Sequence, residues 1–166
     1  MHDRLTQGDI DKIKAEISER KLVIRPKLLD DLKTAREQGD LSENFEYYAA
    51  KRAKNQNESR IRYLENMLKT AHLIRNIGGE DEVTMDREIE IAYPDDDETE
   101  TLRIVTTIRS KPLQGLISID SPMGKALLHH KVGDTVFIPT DAGGYEVIIT
   151  RIGDDVDESG DAIRNF

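Results

Sequence analysis

The chain has 166 residues, 34% of them charged and 37% hydrophobic, with a formal net charge of −9 and no cysteine. That length suits one ordinary domain or two small ones, and the lack of cysteine excludes disulfides, thiolate metal sites and a cysteine nucleophile. No apolar run approaches membrane-spanning length and no N-terminal stretch resembles a signal peptide, so a cytoplasmic protein with no membrane partner is expected.

The charge is unevenly spread. Residues 1–76 hold 16 Lys and Arg against 13 Asp and Glu, a net of +3, and the remainder hold 8 against 20, a net of −12. Composition shifts at "RNIGGEDE" (75–82), which divides the chain into residues 1–76 and 80–166. The shift is equally well read as two differently solvated surfaces or as a functional difference.

From Ile10 the positions Ile13, Ile17, Lys21, Ile24, Leu28, Leu32 and Ala35 follow at three- and four-residue steps, a heptad-like stripe with a slip. Pro26 lies inside it and predicts a kink near Arg25, or a break with Pro26 opening a second segment. A second stripe runs Ala50, Ala53, Asn57, Ile61, Leu64, Leu68 and Ala71, with Asn57 placed as seam asparagines are when they fix register. Two narrow apolar stripes joined by a few residues predict an antiparallel coiled-coil hairpin. At a rise of ~1.5 Å per residue each arm is roughly 40 Å long.

The hairpin ends at "AREQGDLSENFEYYAAK" (35–51), with an acidic tip at 39–46. Gly39 is expected to end the first arm. Asp40 with Glu43 fits a capping box, and Ser42 is an alternative cap. Yet Asp40, Glu43 and Glu46 exceed what a cap requires. Two carboxylates make a poor Mg²⁺ site alone, because that ion wants six oxygens and takes most of them from water or phosphate. Capping and incomplete metal binding both remain open on the residues alone.

Past Gly79 the pattern becomes short alternating runs at 87–93, 102–108, 115–119, 134–139 and 145–152, read as strands. Ser121 as N-cap and Pro122 as first helical residue predict a short helix through Leu128. The fold class is therefore α+β, a helical hairpin followed by a small antiparallel-sheet domain with one helix. The tail "DDVDESGDAIRNF" is expected to fray. His2, His72 and the His129–His130 pair form no catalytic constellation, and no Gly-rich phosphate loop or zinc spacing occurs.

Three stretches in order, "AREQGDLSENFEYYAAK", "SRIRYLENMLKTAHLI" and "SPMGKALL…KVGDTV", closely resemble the Gre family of bacterial transcript-cleavage factors, over a span from about Leu5 to Ile152. The resemblance implies an FKBP-like fold for the second half. It implies a monomer whose coiled coil enters the secondary channel of bacterial RNA polymerase. There Asp40 and Glu43 would help hold a second Mg²⁺, shared with the polymerase and not bound tightly by this chain alone, beside the backtracked RNA 3′ end. The protein would stimulate the polymerase's own nuclease without being an enzyme itself. Ser42, Asn44, Glu46, Tyr47 and Arg36 would support the tip. Lys51, Arg52, Lys54, Arg60 and Arg62 would face the nascent RNA, although an ordinary solvated helix face accounts for them equally well. Asp120, Ser121 and Pro122 would dock on the channel rim, besides starting a helix.

The chain departs from the family pattern in places. Phe45 replaces a usual Ala, "TTIRSKP" (106–112) replaces an acidic E-A-D-like stretch, His129–His130 stands where Gly-Lys is common, and Asp9 follows Gly8 where a large residue is usual. Two other readings compete: a non-cleaving regulator of the same shape that occupies the channel and inhibits, and an FKBP-like folding helper. The second half offers Tyr93, Phe137, Tyr145 and Phe166 to line a proline pocket, too few to favour the helper.

Overall fold

The computed structural model describes residues 4–38 and 44–165. The chain opens with β1 (Arg4–Leu5), followed by helix α1 (Gln7–Glu19). A capping box starts α1. The Thr6 hydroxyl accepts from the Asp9 amide, and the Asp9 carboxylate accepts from the Thr6 amide. A π-helical turn, Arg20–Ile24, then leads directly into α2 (Arg25–Arg36).

That π turn is how the arm accommodates Pro26. Proline has no amide proton to donate one turn back, and its ring crowds the carbonyl there. The widened turn instead lets the Arg25 amide reach the Arg20 carbonyl, five residues back. The arm is therefore not broken at Pro26. One of the stripe's two runs of consecutive four-residue steps, Ile13–Ile17–Lys21, ends in this turn. Across from it, buried Asn57 donates to the Arg20 carbonyl at 3.3 Å and accepts from Arg20 Nη1 at 3.0 Å. The seam asparagine thus fixes register against the one irregular turn.

The second arm is α3 (Phe45–Thr70), followed by β2 (His72–Leu73), which pairs in parallel with β1. Leu5, Ile13, Leu64 and Met67 form a buried cluster at the base of the hairpin, joined by Ile108 from the second half. Farther out, Leu32, Ala35 and Ile61 are buried between the arms. Ion pairs tie the arms along their edges: Arg25 holds Glu58 with two bonds at 2.7 and 2.9 Å, and Lys21 reaches Glu65 at 2.5 Å.

The second half builds a five-stranded sheet from β3 (Arg87–Ala92), β4 (Thr99–Val105), β5 (Leu116–Ser118), β6 (Thr135–Ile138) and β7 (Tyr145–Asp155), in the order β5-β4-β3-β7-β6. Helix α4 (Pro122–Leu127) lies between β5 and β6 in the chain. Period-two alternation sends Ile89, Ile91, Leu102, Ile104, Val136, Ile138, Val147 and Ile149 into one core, which Leu127 of α4 completes.

The sheet differs from expectation in two ways. It is not wholly antiparallel, since β5 runs parallel to β4. The strand expected over 102–108 also stops at Val105, because Thr107–Arg109 turns as a 3₁₀ helix whose three residues are all buried. Ile108 enters the hairpin's core and Arg109 enters a charged cluster, so these side chains leave the sheet for the junction between the halves.

Through residue 165 the tail is tied down, contrary to expectation. Val156 donates to the Asp86 carbonyl, Arg164 donates to the Ile108 carbonyl, and Ile163 packs on the hairpin's core.

Candidate functional site

At the far end of the hairpin, α2 stops at Arg36 with Glu37 as its C-cap. The cap of α3 is Asn44, whose side-chain oxygen accepts from the Tyr47 amide at 3.0 Å. Its amide nitrogen donates to the Ala35 carbonyl at 2.6 Å. One asparagine therefore caps the second arm and ties it to the end of the first. This corrects the expectation that Asp40 or Ser42 caps the helix. Asp40, Ser42 and Glu43, with Gly39 as the expected terminator of the first arm, lie outside the described residues.

The supporting residues expected around the tip are partly assembled. Arg36 lies over the Tyr47 ring, 5.7 Å from its centroid, and Tyr47 meets Tyr48 edge to face at 5.4 Å. Glu46 is exposed in the first turn of α3, where a carboxylate also suits the helix dipole. Phe45 is 87% exposed, and nothing in the structure explains it.

Behind the tip, Tyr48, Lys51, Arg52, Asn55, Gln56, Ser59, Arg60 and Tyr63 line a groove of about 830 Å³. Lys51, Arg52 and Arg62 are exposed and Lys54 is half-buried. Arg60 is the exception. It is only 8% exposed, its Nε and Nη2 hold Glu16 at 2.8 and 3.2 Å, and Nη2 also donates to the Arg164 carbonyl. Its guanidinium braces the arm, so Arg60 borders the groove with Lys51 and Arg52 but is mostly buried and already paired. Burial works to raise the Glu16 carboxyl, but Arg60 and Arg20 outweigh it and hold the group below its ordinary range.

In the sheet domain, Asp120 accepts from Arg4 Nη1 at 2.9 Å and from the Thr107 hydroxyl at 2.7 Å. Burial acts to raise its carboxyl, and these two partners bring it below the usual value. Ser121 accepts from the Gly124 amide at 3.0 Å and donates to the Ser118 carbonyl at 2.6 Å, so its hydroxyl is committed to starting α4. Pro122 is exposed as the first residue of α4. It borders a largely apolar groove of about 460 Å³ with Ile117, Met123, Pro139 and Tyr145.

The strongest electrostatic feature was only half visible in the sequence. Arg109 is completely buried. Its Nε donates to Asp9 at 2.7 Å, and its Nη1 donates to Asp86 and Asp161, each at 2.8 Å. Nη2 donates to Asp86 at 3.2 Å and lies 3.0 Å from Glu158. Burial alone would ease the proton off, but Asp86, Asp9 and Asp161 reverse that and raise the guanidinium's affinity for it. Arg103 adds two bonds to Asp161 at 2.8 and 2.6 Å. The cluster joins α1, the β4–β5 connection and the tail. Two departures noticed separately, Asp9 and the basic stretch at 106–112, are thus one interaction. Asp86 enters it with φ 61°, in the left-handed region that aspartate tolerates better than most residues. His129 has φ 68°, the geometry a glycine would hold without strain at that position.

Residues 4–73 match the N-terminal domain of GreA/GreB transcription elongation factors, and residues 78–154 match their C-terminal domain. Transcription elongation factor GreA of Lactococcus lactis subsp. cremoris is 38% identical over 149 residues, covering 89% of this chain and 96% of that one. GreA of Limosilactobacillus fermentum is 44% identical over 142 residues, covering 85% and 90%. Among solved structures, GreA factor homolog 1 (Gfh1) of Thermus thermophilus is 26% identical and covers 93% of this chain and 100% of that one, with a TM-score of 0.43. With both domains matched across most of its length, the chain belongs to the GreA/GreB family of transcription elongation factors.

Proposed function

We propose that the hairpin enters the secondary channel of bacterial RNA polymerase and presents Asp40 and Glu43 to a Mg²⁺ ion beside the backtracked RNA 3′ end, so that the polymerase shortens its own transcript. The observation that carries this reading is the cap. Asn44 serves as the N-cap of the second arm, directly after the acidic segment. Packing supports it too. Among the described residues, the apolar contact between hairpin and second half lies at the hairpin's base, where Ile108 joins Leu5, Ile13, Leu64 and Met67. Phe45 stands some 19 residues along α3 from Leu64, roughly 30 Å at the rise of an α-helix.

Among the described residues no group of three or more His, Asp and Glu side chains could hold a metal ion. The donor set that this chain would bring is Asp40 and Glu43. Two carboxylates suit a Mg²⁺ ion that completes its six oxygens from another molecule. When bound, such an ion supplies an activated water and charge stabilisation for phosphodiester hydrolysis. This chain's part is to aim the two carboxylates. Asn44 and the Arg36–Tyr47 contact set the ends of the arms that carry them. Lys51, Arg52 and Arg62 attract the RNA phosphates along the open face of α3. Pro122 and the groove beside it dock on the channel rim. The protein acts as a cytoplasmic monomer.

The test is a defined backtracked elongation complex. The wild-type chain shortens its RNA from the 3′ end in Mg²⁺. Asp40→Asn with Glu43→Gln abolishes shortening yet still competes with the wild type for the complex. Shortening by the double variant, or slowed synthesis without shortening by the wild type, overturns the reading.

A further inference from the structure

The match to the GreA/GreB C-terminal domain ends at residue 154, but the tail beyond it is built into the molecule. The Val156 amide donates to the Asp86 carbonyl at 2.6 Å, next to the sheet. Glu158 accepts from the Thr6 hydroxyl at 3.1 Å at the start of α1 and pairs with Arg109. Lys12 of α1 donates to the carbonyls of Glu158 and Asp161. The Asp161 carboxylate takes Arg103 and Arg109 together. Ile163 packs on the hairpin's core. Arg164 then receives Arg60 of α3 on its carbonyl at 2.9 Å and donates its amide to Ile108 at 2.8 Å. In ten residues the segment touches α1, α3 and the sheet domain in turn.

We propose that residues 156–165 are a strap that locks the hairpin to the sheet domain at one angle, and that holds Arg60 against the arm. The physical case rests on where the bonds land. Apart from the strap, arm and sheet are joined by the covalent link at residues 74–82, where no helix or named strand occurs, and by the Asp9–Arg109 and Arg4–Asp120 pairs and Ile108. A rod roughly 40 Å long turns a small angular freedom at its base into a large displacement at its end. Charge and apolar contacts crossing three elements remove that freedom. Arg109 and Arg103 supply the charge, and Ile163 supplies the apolar contact. The consequence for activity rests on the proposed delivery of the tip acids, but the geometry does not.

The experiment reads the geometry directly. The chain has no native cysteine, so spin labels on Lys33→Cys in α2 and Thr140→Cys beyond β6, both exposed positions, report one arm-to-sheet distance. The otherwise wild-type chain gives a single narrow distance distribution. Asp161→Asn with Ile163→Asp broadens it several-fold at unchanged helical circular dichroism. An equally narrow distribution in that variant overturns the proposal. Should the variant not fold, hydrogen exchange on the unaltered chain decides. Slow exchange at the Val156 and Arg164 amides supports the strap, and exchange at the rate of free peptide overturns it. In the cleavage assay, loosening the strap raises the concentration needed for half-maximal shortening, while the Asp40 and Glu43 substitutions remove shortening at any concentration. A failed strap and a failed cleavage reading therefore give different results.

Discussion

The arms and the junction use opposite charges in opposite ways. Along the hairpin, Arg25–Glu58 and Lys21–Glu65 sit at the edges of the seam with their side chains about a third exposed. Such pairs contribute little net stability, because water screens them and long side chains lose entropy when held. They keep a slender rod soluble and in register. At the junction, Arg109 is fully buried among four carboxylates. An apolar residue of similar size could pack there, but it would not choose among neighbouring arrangements as a guanidinium with fixed donor directions does. A rod can be held by many weak contacts, whereas the joint that aims it needs a few directional ones.

The largest expected effect comes from removing the junction's cation. Arg109→Met leaves Asp9, Asp86, Asp161 and Glu158 facing one another, and breaking a buried pair in this way costs ~3–5 kcal/mol. A chemical-denaturation curve should show it as a shifted midpoint. Asp9→Asn alone is expected to cost less. The double variant should fall short of the sum, because both changes remove the same bond. Strict additivity would mean that the two departures from the family pattern are unrelated.

Acid should reach the junction next. Burial raises the Asp161 carboxyl, but Arg103 and Arg109 more than offset this and leave it below its ordinary value; Glu16 is lowered in the same way. A carboxyl lowered in the folded state contributes stability that is full above its unfolded value, near 4. That contribution is lost as pH falls from there through the lowered folded value. Thermal melts from pH 7 to pH 3 should therefore stay flat to about pH 5 and then decline. The decline should be shallower in Asp161→Asn.

Smaller effects belong to the arms. Asn44→Ala removes the cap of α3 and its tie to Ala35, a cost of ~1 kcal/mol. Asn44→Asp keeps the cap oxygen but not the donor to Ala35, and should fall between the two. Least of all, Arg25→Met should leave the melting temperature unchanged, since Glu58 stays solvated. A large drop there would put the edge pairs in the same class as the junction and erase the contrast.

Most of the architecture could be read without coordinates because local patterns carry it. Three- and four-residue apolar steps give helices, alternation gives strands, and Ser121-Pro122 starts α4 as expected. The cap of α3, Asn44, belongs to the same short motif as the acids. Where the reading failed, the deciding partner was distant in sequence. Arg60 belongs to a basic run by spacing and borders the groove, but Glu16 and Arg164 also engage its guanidinium. The 102–108 strand ends early because Ile108 and Arg109 have partners in α1 and the tail.

What the amino-acid order determined by itself was therefore most of the set of elements and the pairing of two helical arms. These depend on residues within a turn or two of each other, where periodicity and capping act. Tertiary structure alone decided the joint: which charges are buried, how Asp9 and Arg109 meet, and where the tail goes. Bonds such as Arg109 to Asp9 join residues 100 positions apart. Their geometry exists only after both halves have folded and met.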